Sequence, residues 1–505
     1  MEEKQKTAGE LRREALLYQP KNGYDRLSAQ DEADMKSYCE DYKKFLDAGK
    51  TERECVTEAV RLAEAKGFKP FTRGMAVNPG DKLYRINRGK ALMLAVVGTR
   101  PLSEGVNIGA AHIDSPRLDL KPNPLYEDAE LAFFKTHYYG GIRKYQWVTI
   151  PLELRGVVAL KDGSTVAVSI GGAPEDPQFT IDDLLPHLGV EQSKKPLGEA
   201  IPGESLNLLI GSRPFKDDEG SDRVKLAVMD YLNQKYHIVE EDFISAELEV
   251  VPAFKAADIG FDRSLIGAYG HDDRVCGFAC LAALLALGTP GKTAICMLAD
   301  KEEIGSAGVS GMKSAAFDTF VSDLCDAQRV PLKACYEKSF CLSADVTAAY
   351  DPNFAEVYEK RNSARENYGI QHTVNSQETD LKAYLEELSE GRGADFVYEC
   401  TGTVPGIDCA LDCCKRKGTF VAIGMNMGKV PIDYYNVIYK KEITIQGDKS
   451  TSTVTWARTL RILNGKCVDL KPLITDVLPM SQWLSGYEKF RKGKAMKVVL
   501  HPWDD

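Results

Sequence analysis

An α/β fold, interrupted by a β-rich insert and followed by a second, shorter α/β segment, is what this 505-residue sequence predicts. Three observations predict it. Short apolar runs end repeatedly in acidic residues or histidine and alternate with helical stretches, as expected of an α/β sheet whose site lies at the carboxyl edge of its strands. From about 121 to 250 the texture changes to brief β-like runs broken by Gly, Pro and Asp turns. Beyond about 364 a new set of strand and helix signals begins. A chain of this length suggests about three domains.

Taken in order, residues from about 30 to 67 predict two helices. Met35 to Leu46 is periodic, and Thr51-Glu52-Arg53-Glu54 is a capping box opening a run to Ala65, closed by Gly67. Strands are expected over 92–97 and 106–111, the second delivering His112 at its end. Within the insert, Val157–Leu160 and Val166–Ile170 are the clearest β runs. Cys276 to Leu287 is an apolar, Ala-rich helix directly after Asp272, Ala294 to Leu298 a strand ending at Glu302-Glu303, and Phe340 to Ser343 a strand delivering Asp345. No internal repeat or low-complexity segment interrupts the chain.

The composition, 44% hydrophobic and 27% charged, is that of a soluble globular protein. A net charge of −10 argues against a nucleic-acid partner. No apolar run approaches a membrane span, and the start, Met1-Glu2-Glu3-Lys4-Gln5-Lys6, lacks the apolar stretch of a secretory signal, so a cytoplasmic location is expected. The 13 cysteines include no Cys-x-x-Cys pair. Cys409, Cys413 and Cys414 fall in an apparently helical stretch, and the expectation for them is buried small hydrophobes in a reducing compartment.

Chemistry concentrates at the strand ends. In His112-x-Asp114 one imidazole nitrogen can bind metal while the carboxylate orients the other. Asp272, ahead of an apolar helix, can bridge two cations or cap the helix. Glu302 and Glu303 are neighbours whose side chains diverge near a strand end, so that one binds metal and the other acts as general base toward water. Asp345 supplies a further hard ligand. Together these residues describe a metal-dependent hydrolase.

The segments Ala110-Ala111-His112-Ile113-Asp114-Ser115-Pro116-Arg117, Tyr138-Tyr139-Gly140-Gly141, Tyr269-Gly270-His271-Asp272-Asp273-Arg274, Lys301-Glu302-Glu303-Ile304-Gly305-Ser306, and Ser343-Ala344-Asp345 with Asp351-Pro352-Asn353 carry a resemblance. From about 10 to 362 the sequence resembles the aspartyl aminopeptidase family of zinc metallopeptidases, closely its bacterial branch. The resemblance implies a three-layer α/β catalytic domain in two parts, 1–120 and 251–363, around an inserted dimerisation domain, 121–250, that builds homo-oligomers. It implies removal of N-terminal residues from peptides at a two-zinc centre. One zinc would take His112, Asp272 and Asp345; the other would take Asp272, Glu303 and a late histidine. Glu302 would be the base, Asp114 the orienter of His112, and His187 of the insert a contributor to a neighbouring subunit's pocket.

The late histidine, set in a Met-His-Ser context in the family, has no counterpart here. Only His372 and His501 follow residue 303, and His271 adjoins Asp272 but is expected to point away from a metal that Asp272 binds. Residues 364–502 instead resemble the carboxyl-terminal part of zinc-type medium-chain alcohol and sorbitol dehydrogenases, from Gly369-Ile370-Gln371-His372-Thr373-Val374-Asn375 to Lys497-Val498-Val499-Leu500-His501-Pro502. This implies a partial Rossmann-like segment over 364–505, with a helix over 380–391 and strands near 393–402, 418–424 and 443–447. The first strand and Gly-x-Gly-x-x-Gly turn of a dinucleotide site are missing from it. The join, near 360–368, carries no Gly/Ser/Pro-rich linker, which favours a recombined reading frame over a selected fusion. The expected function is a metal-dependent aminopeptidase impaired at its second metal. The alternatives are an NAD-dependent alcohol or polyol oxidoreductase and an inactive assembly subunit.

Overall fold

The computed structural model describes residues 22–358 continuously, isolated positions before and after them, and the stretches 394–399, 404–422, 432–447, 476–479 and 498–501. The chain divides into two units, Met1–Gly369 and Ile370–Asp505.

The first unit opens with two capped helices. In α1 (Ala29–Ala48) Ser28 and Asp31 bond reciprocally, so the helix starts six residues before the periodic stretch that predicts it. In α2 (Glu52–Ala65) Thr51 and Glu54 form the expected capping box, and Gly67, at φ +86°, turns the chain out of it. Strands β1 (Lys69–Pro70), β2 (Lys82–Asn87), β3 (Ala91–Val96) and β4 (Asn107–His112) follow.

The chain then builds a separate antiparallel sheet from β5 (Arg117–Asp128), β6 (Leu131–Tyr139), β7 (Leu152–Ala159), β8 (Thr165–Ile170), β9 (Leu208–Gly211) and, after α3 (Arg223–Tyr236), β10 (Ala246–Pro252). Its strand order is β8-β7-β10-β5-β6-β9. It has its own core, in which Leu118, Phe134, Leu152, Leu154, Leu248 and Val250 are buried.

After a hairpin of β11 (Ala257–Ile259) and β12 (Leu265–Gly267), the chain returns to the first sheet through α4 (His271–Ala286), β13 (Ala294–Ala299), α5 (Ala316–Ala327) and β14 (Phe340–Ser343). The order is β1-β2-β3-β13-β4-β14, and β13, β4 and β14 run parallel, so their carboxyl ends share one edge.

Alternation sorts the side chains of the central strands into two cores. Leu92, Leu94, Val96, Cys296 and Leu298 pack with α1, α2 and α4. Met93, Ala95, Ile295 and Met297 pack with α5 on the other face. Every residue of β3 is buried, as in a strand covered on both sides. Burying a leucine or methionine this fully is worth about 1.5–3 kcal/mol, which makes these strands the anchor of the sheet. Gly277 lets α4 lie against β4, since a Cβ there would come within 3.2 Å of Ile113. The edge strand β14 is exposed throughout, with Phe340 and Leu342 reaching solvent.

In the second unit three parallel strands, Ala394–Glu399, Cys414–Ala422 and Thr444–Gly447, lie side by side in chain order, and a helix, Val404–Cys413, links the first two. Cys414 therefore begins a strand rather than continuing the helix expected for all three cysteines. Cys413 and Cys414 are buried and Cys409 is exposed. A further parallel pair joins Asp476–Pro479 to Val498–His501. The helix expected over 380–391 and His372 lie outside the described residues.

The Thr51 cap is buried, so its lost bond would not be replaced by water. Thr51→Ala is expected to lower stability by about 1–2 kcal/mol, read as an earlier urea midpoint; an unchanged midpoint would show that packing alone starts α2.

Candidate metal centre

Strand register brings the predicted residues together. His112, the last residue of β4, pairs with Ala299 of β13, and Ser343 of β14 pairs with Ala110. One more bond, from the Ala344 N–H to the Ala110 carbonyl at 2.8 Å, carries that pairing forward and delivers Asp345 beside His112. Beyond β13 the chain turns sharply. Lys301 and Gly305 are both left-handed, at φ +67° and +92°, and bracket a single helical turn, Glu302–Ile304, that presents two adjacent carboxylates at the sheet edge.

Asp272 comes from the head of α4. It and Asp273 depart from helical geometry at the head of α4, and neither side chain caps the helix; the left-handed Gly270 occupies that position. The capping role considered for Asp272 is thus not what the backbone uses. Its carbonyl instead accepts a 2.7 Å bond from the Ser115 hydroxyl.

Around His112 the polar atoms divide into two sets. Nδ1 lies 3.0 Å from the Asp114 carbonyl and 3.3 Å from its Oδ1, both acceptors, which assigns the proton to Nδ1 in the neutral ring. Nε2 is buried and makes no hydrogen bond, although Asp272 Oδ1 lies at 3.2 Å and Glu302 Oε2 and Asp345 Oδ1 each at 3.8 Å. An orphaned imidazole nitrogen facing three carboxylates is a donor set that suits zinc. Among the described residues, His112, Glu302 and Asp345 form the one group of three donors whose ligand atoms all lie within 4.8 Å of one another. Asp272 and Glu303 stand outside that group.

Asp114 is fully buried and accepts from four directions. Oδ1 takes the Glu302 N–H at 3.1 Å as well as facing His112; Oδ2 takes the Glu303 N–H at 3.2 Å and the Tyr139 hydroxyl at 2.7 Å. Burial would raise its pKa, but the bonds from His112 and Tyr139 outweigh that and hold it below the usual carboxylate range. The same pairing acts on His112. Burial opposes its charge, yet Asp114 lifts its pKa to about 9. Burial, and then Asp114, push the Tyr139 phenol well above its ordinary value, so it remains a donor. Glu303 rises to about 7 through burial and the nearby Asp272 charge, and Asp273 to about 6 mainly through burial.

Among the described residues no other histidine joins this group. Both ring nitrogens of His271 are engaged, Nδ1 with the Tyr42 hydroxyl at 2.9 Å and Nε2 by the Ile266 carbonyl at 3.0 Å. His187 is exposed on the second sheet's side of the chain, and His501 ends a strand of the second unit.

Sequence reasoning missed the supports of the site. Arg274 is fully buried, donates to the Ile113 and Lys50 carbonyls at 3.1 Å each, and ties the head of α4 to the end of β4. Gly140, at φ +72°, lies so close to Glu303 that a Cβ would meet its Oε2 at 2.9 Å. The Tyr138-Tyr139-Gly140-Gly141 segment was visible as a motif, but its contacts were not.

A sequence family described as "Aminopeptidase I zinc metalloprotease (M18)" matches residues 45–385. A "Probable M18 family aminopeptidase 1" of Clostridium acetobutylicum is 48% identical over 363 residues, 70% of this chain and 78% of the relative. The chain belongs to the M18 family. The crystal structure of an M18 aminopeptidase from Thermotoga maritima superposes with a TM-score of 0.67 at 33% identity, over 85% of this chain and 92% of that one. The M18 chain is a metallo-aminopeptidase, and its family implies zinc. A second family, "Zinc-binding dehydrogenase", matches residues 353–464. There the chain is similar to a sorbitol dehydrogenase of Halalkalibacterium halodurans, 35% identical over 137 residues, 27% of this chain and 40% of the relative. The M18 chain therefore carries two resemblances, meeting where the matches overlap. Among the described residues no helix is long and apolar enough to cross a membrane.

Because the His112 pKa is raised to about 9, the metal-free ring holds its proton at neutral pH and zinc must displace it. Apparent zinc affinity is expected to fall about tenfold per pH unit below that value through this group. Calorimetric titrations at pH 7 in buffers of different ionisation enthalpy should report at least about one proton released per zinc; a buffer-independent heat would contradict the assignment.

Proposed function

We propose that this M18 aminopeptidase holds one zinc firmly, at His112, Asp272 and Asp345, and turns over slowly because its second site is incomplete. The observation that carries this reading is the buried, unpartnered Nε2 of His112 facing those carboxylates. When bound, zinc supplies Lewis-acid polarisation of a peptide carbonyl and acidification of water.

The protein's own groups do the rest. Glu302, at the exposed rim of the site, is placed to take a proton from water and pass it to the departing amine. Asp114 keeps the His112 proton on Nδ1, leaving Nε2 as a donor to metal. Glu303, together with Asp272 shared from the first site, would be the protein groups available to a second zinc; burial and then the nearby Asp272 charge raise the Glu303 pKa to about 7. A site short of one of its ligands binds zinc weakly.

Glu302 and Asp345 stand at equal distance from His112 Nε2, so geometry leaves Glu302 free to be ligand or base. The base role follows from the family resemblance. The second sheet, as inserted domain, would join copies into a homo-oligomer acting on peptides in the cytoplasm. A second reading, an NAD-dependent alcohol or polyol oxidoreductase, is favoured only by the dehydrogenase match over 353–464. A titration with NADH, followed by its fluorescence, separates the two.

Metal analysis of the purified chain should give about one zinc, with weak release of N-terminal residues from peptide substrates. Glu302→Gln should keep that zinc and reduce the residual rate by about 10²-fold or more; loss of the zinc would make Glu302 a ligand instead. Two firmly held zincs with brisk turnover would refute the incomplete site. An intact mass matching all 505 residues would establish that the two halves are made as one chain.

A further inference from the structure

We propose that Tyr139 is a positioning residue of the metal centre, brought in by the second sheet to hold Asp114 where one carboxylate serves His112, Glu302 and Glu303 together. The inference rests on the zinc reading of His112 given above. It extends that reading to a residue that approaches none of the metal-facing carboxylates.

A fully buried carboxylate has about four lone-pair directions to satisfy. For Asp114 the partners are the His112 ring, two backbone N–H groups at 3.1 and 3.2 Å, and the Tyr139 hydroxyl at 2.7 Å. The tyrosine bond is the shortest of these and the one that comes from outside the site's own strands. Without it, Oδ2 would rely on the Glu303 N–H alone, and rotation of the carboxylate would loosen the His112 ring and the Glu302–Glu303 turn at once.

The phenol is in turn held rigidly. Its ring lies 3.9 Å from the Arg117 guanidinium, and Arg117 is clamped by Asp119 at 2.8 Å, Glu249 at 3.1 Å and Glu52 at 3.3 Å. The next residue, Gly140, rests against the Glu303 side chain. Two consecutive residues at the end of β6 thus touch the orienting carboxylate and one member of the glutamate pair. A tyrosine that served packing alone would need neither the short bond nor this seat.

The test compares Tyr139→Phe with Thr136→Val, a second buried hydroxyl on β6 that donates to the Leu206 carbonyl, away from the centre. Zinc affinity is measured by competition with a chromophoric chelator, and the visible spectrum of the cobalt(II)-loaded protein reports ligand geometry. Tyr139→Phe is expected to weaken zinc by about 10–100-fold, the usual effect of losing a group that orients a ligand, and to alter the cobalt bands. Thr136→Val should lower the melting temperature but leave both metal readouts unchanged. Equal zinc affinity and spectra in Tyr139→Phe and the parent would overturn the inference, as would equal losses in both variants. Failure of the parent to bind zinc would instead sink the underlying reading of His112.

Discussion

The Asp114 carboxylate lies wholly out of solvent, and its charge is tolerated there because donors from three parts of the chain converge on it. Removing a carboxylate from water costs several kcal/mol unless hydrogen bonds replace the lost hydration. Those bonds fix three things together: the tautomer of His112, the path of the backbone through Glu302 and Glu303, and the end of β6. The rest of the site depends on this constraint, because the carboxylates that face His112 Nε2 are themselves exposed at the rim and have little else to hold them. Asp272 and Asp345 are each more than half exposed, so their placement comes from the backbone that carries them.

A second layer of buried charge supports the first. Glu52, the first residue of α2, and Glu249 of β10 both face Arg117 without solvent. Burial opposes ionisation of both carboxyls. For Glu52, Arg117 and Lys90 outweigh it and keep the group below its usual range, whereas Glu249, buried beside the Glu52 charge, is raised well above. The Arg117 guanidinium and the Lys90 ammonium supply the opposite charge that buried carboxyls need in a dry interior. This cluster joins the start of a helix in the catalytic layer to two strands of the second sheet, giving the β6 end a firm base.

The parallel strands β13, β4 and β14 explain why the site faces one edge, and β14 shows where the arrangement stops. Its apolar Phe340 and Leu342 are exposed and its outer edge has no neighbour among the described residues. Such an edge is prone to pairing with other chains unless something covers it. It stands shortly before residues 353–385, where the M18 match and the dehydrogenase match overlap.

Much of this was legible in the residues themselves. Strand periodicity located β3, β4, β13 and β14, the capping box located α2, and a histidine and acidic residues at element ends singled out His112, Asp114, Asp272, Glu302, Glu303 and Asp345 as candidates, because local patterning is set by local backbone geometry. What the sequence could not reveal were contacts between residues far apart in the chain: Tyr139 and Asp114 are 25 positions apart, and Asp114 and the Glu303 N–H 189. Nor does residue type say that Asp272 leaves the helix uncapped, that Cys414 begins a strand, or that Glu302 and not Glu303 approaches His112 Nε2. Those outcomes follow from register between strands and from the burial of Asp114 and Arg117, quantities that exist only once the two sheets have packed and excluded water from the groups between them.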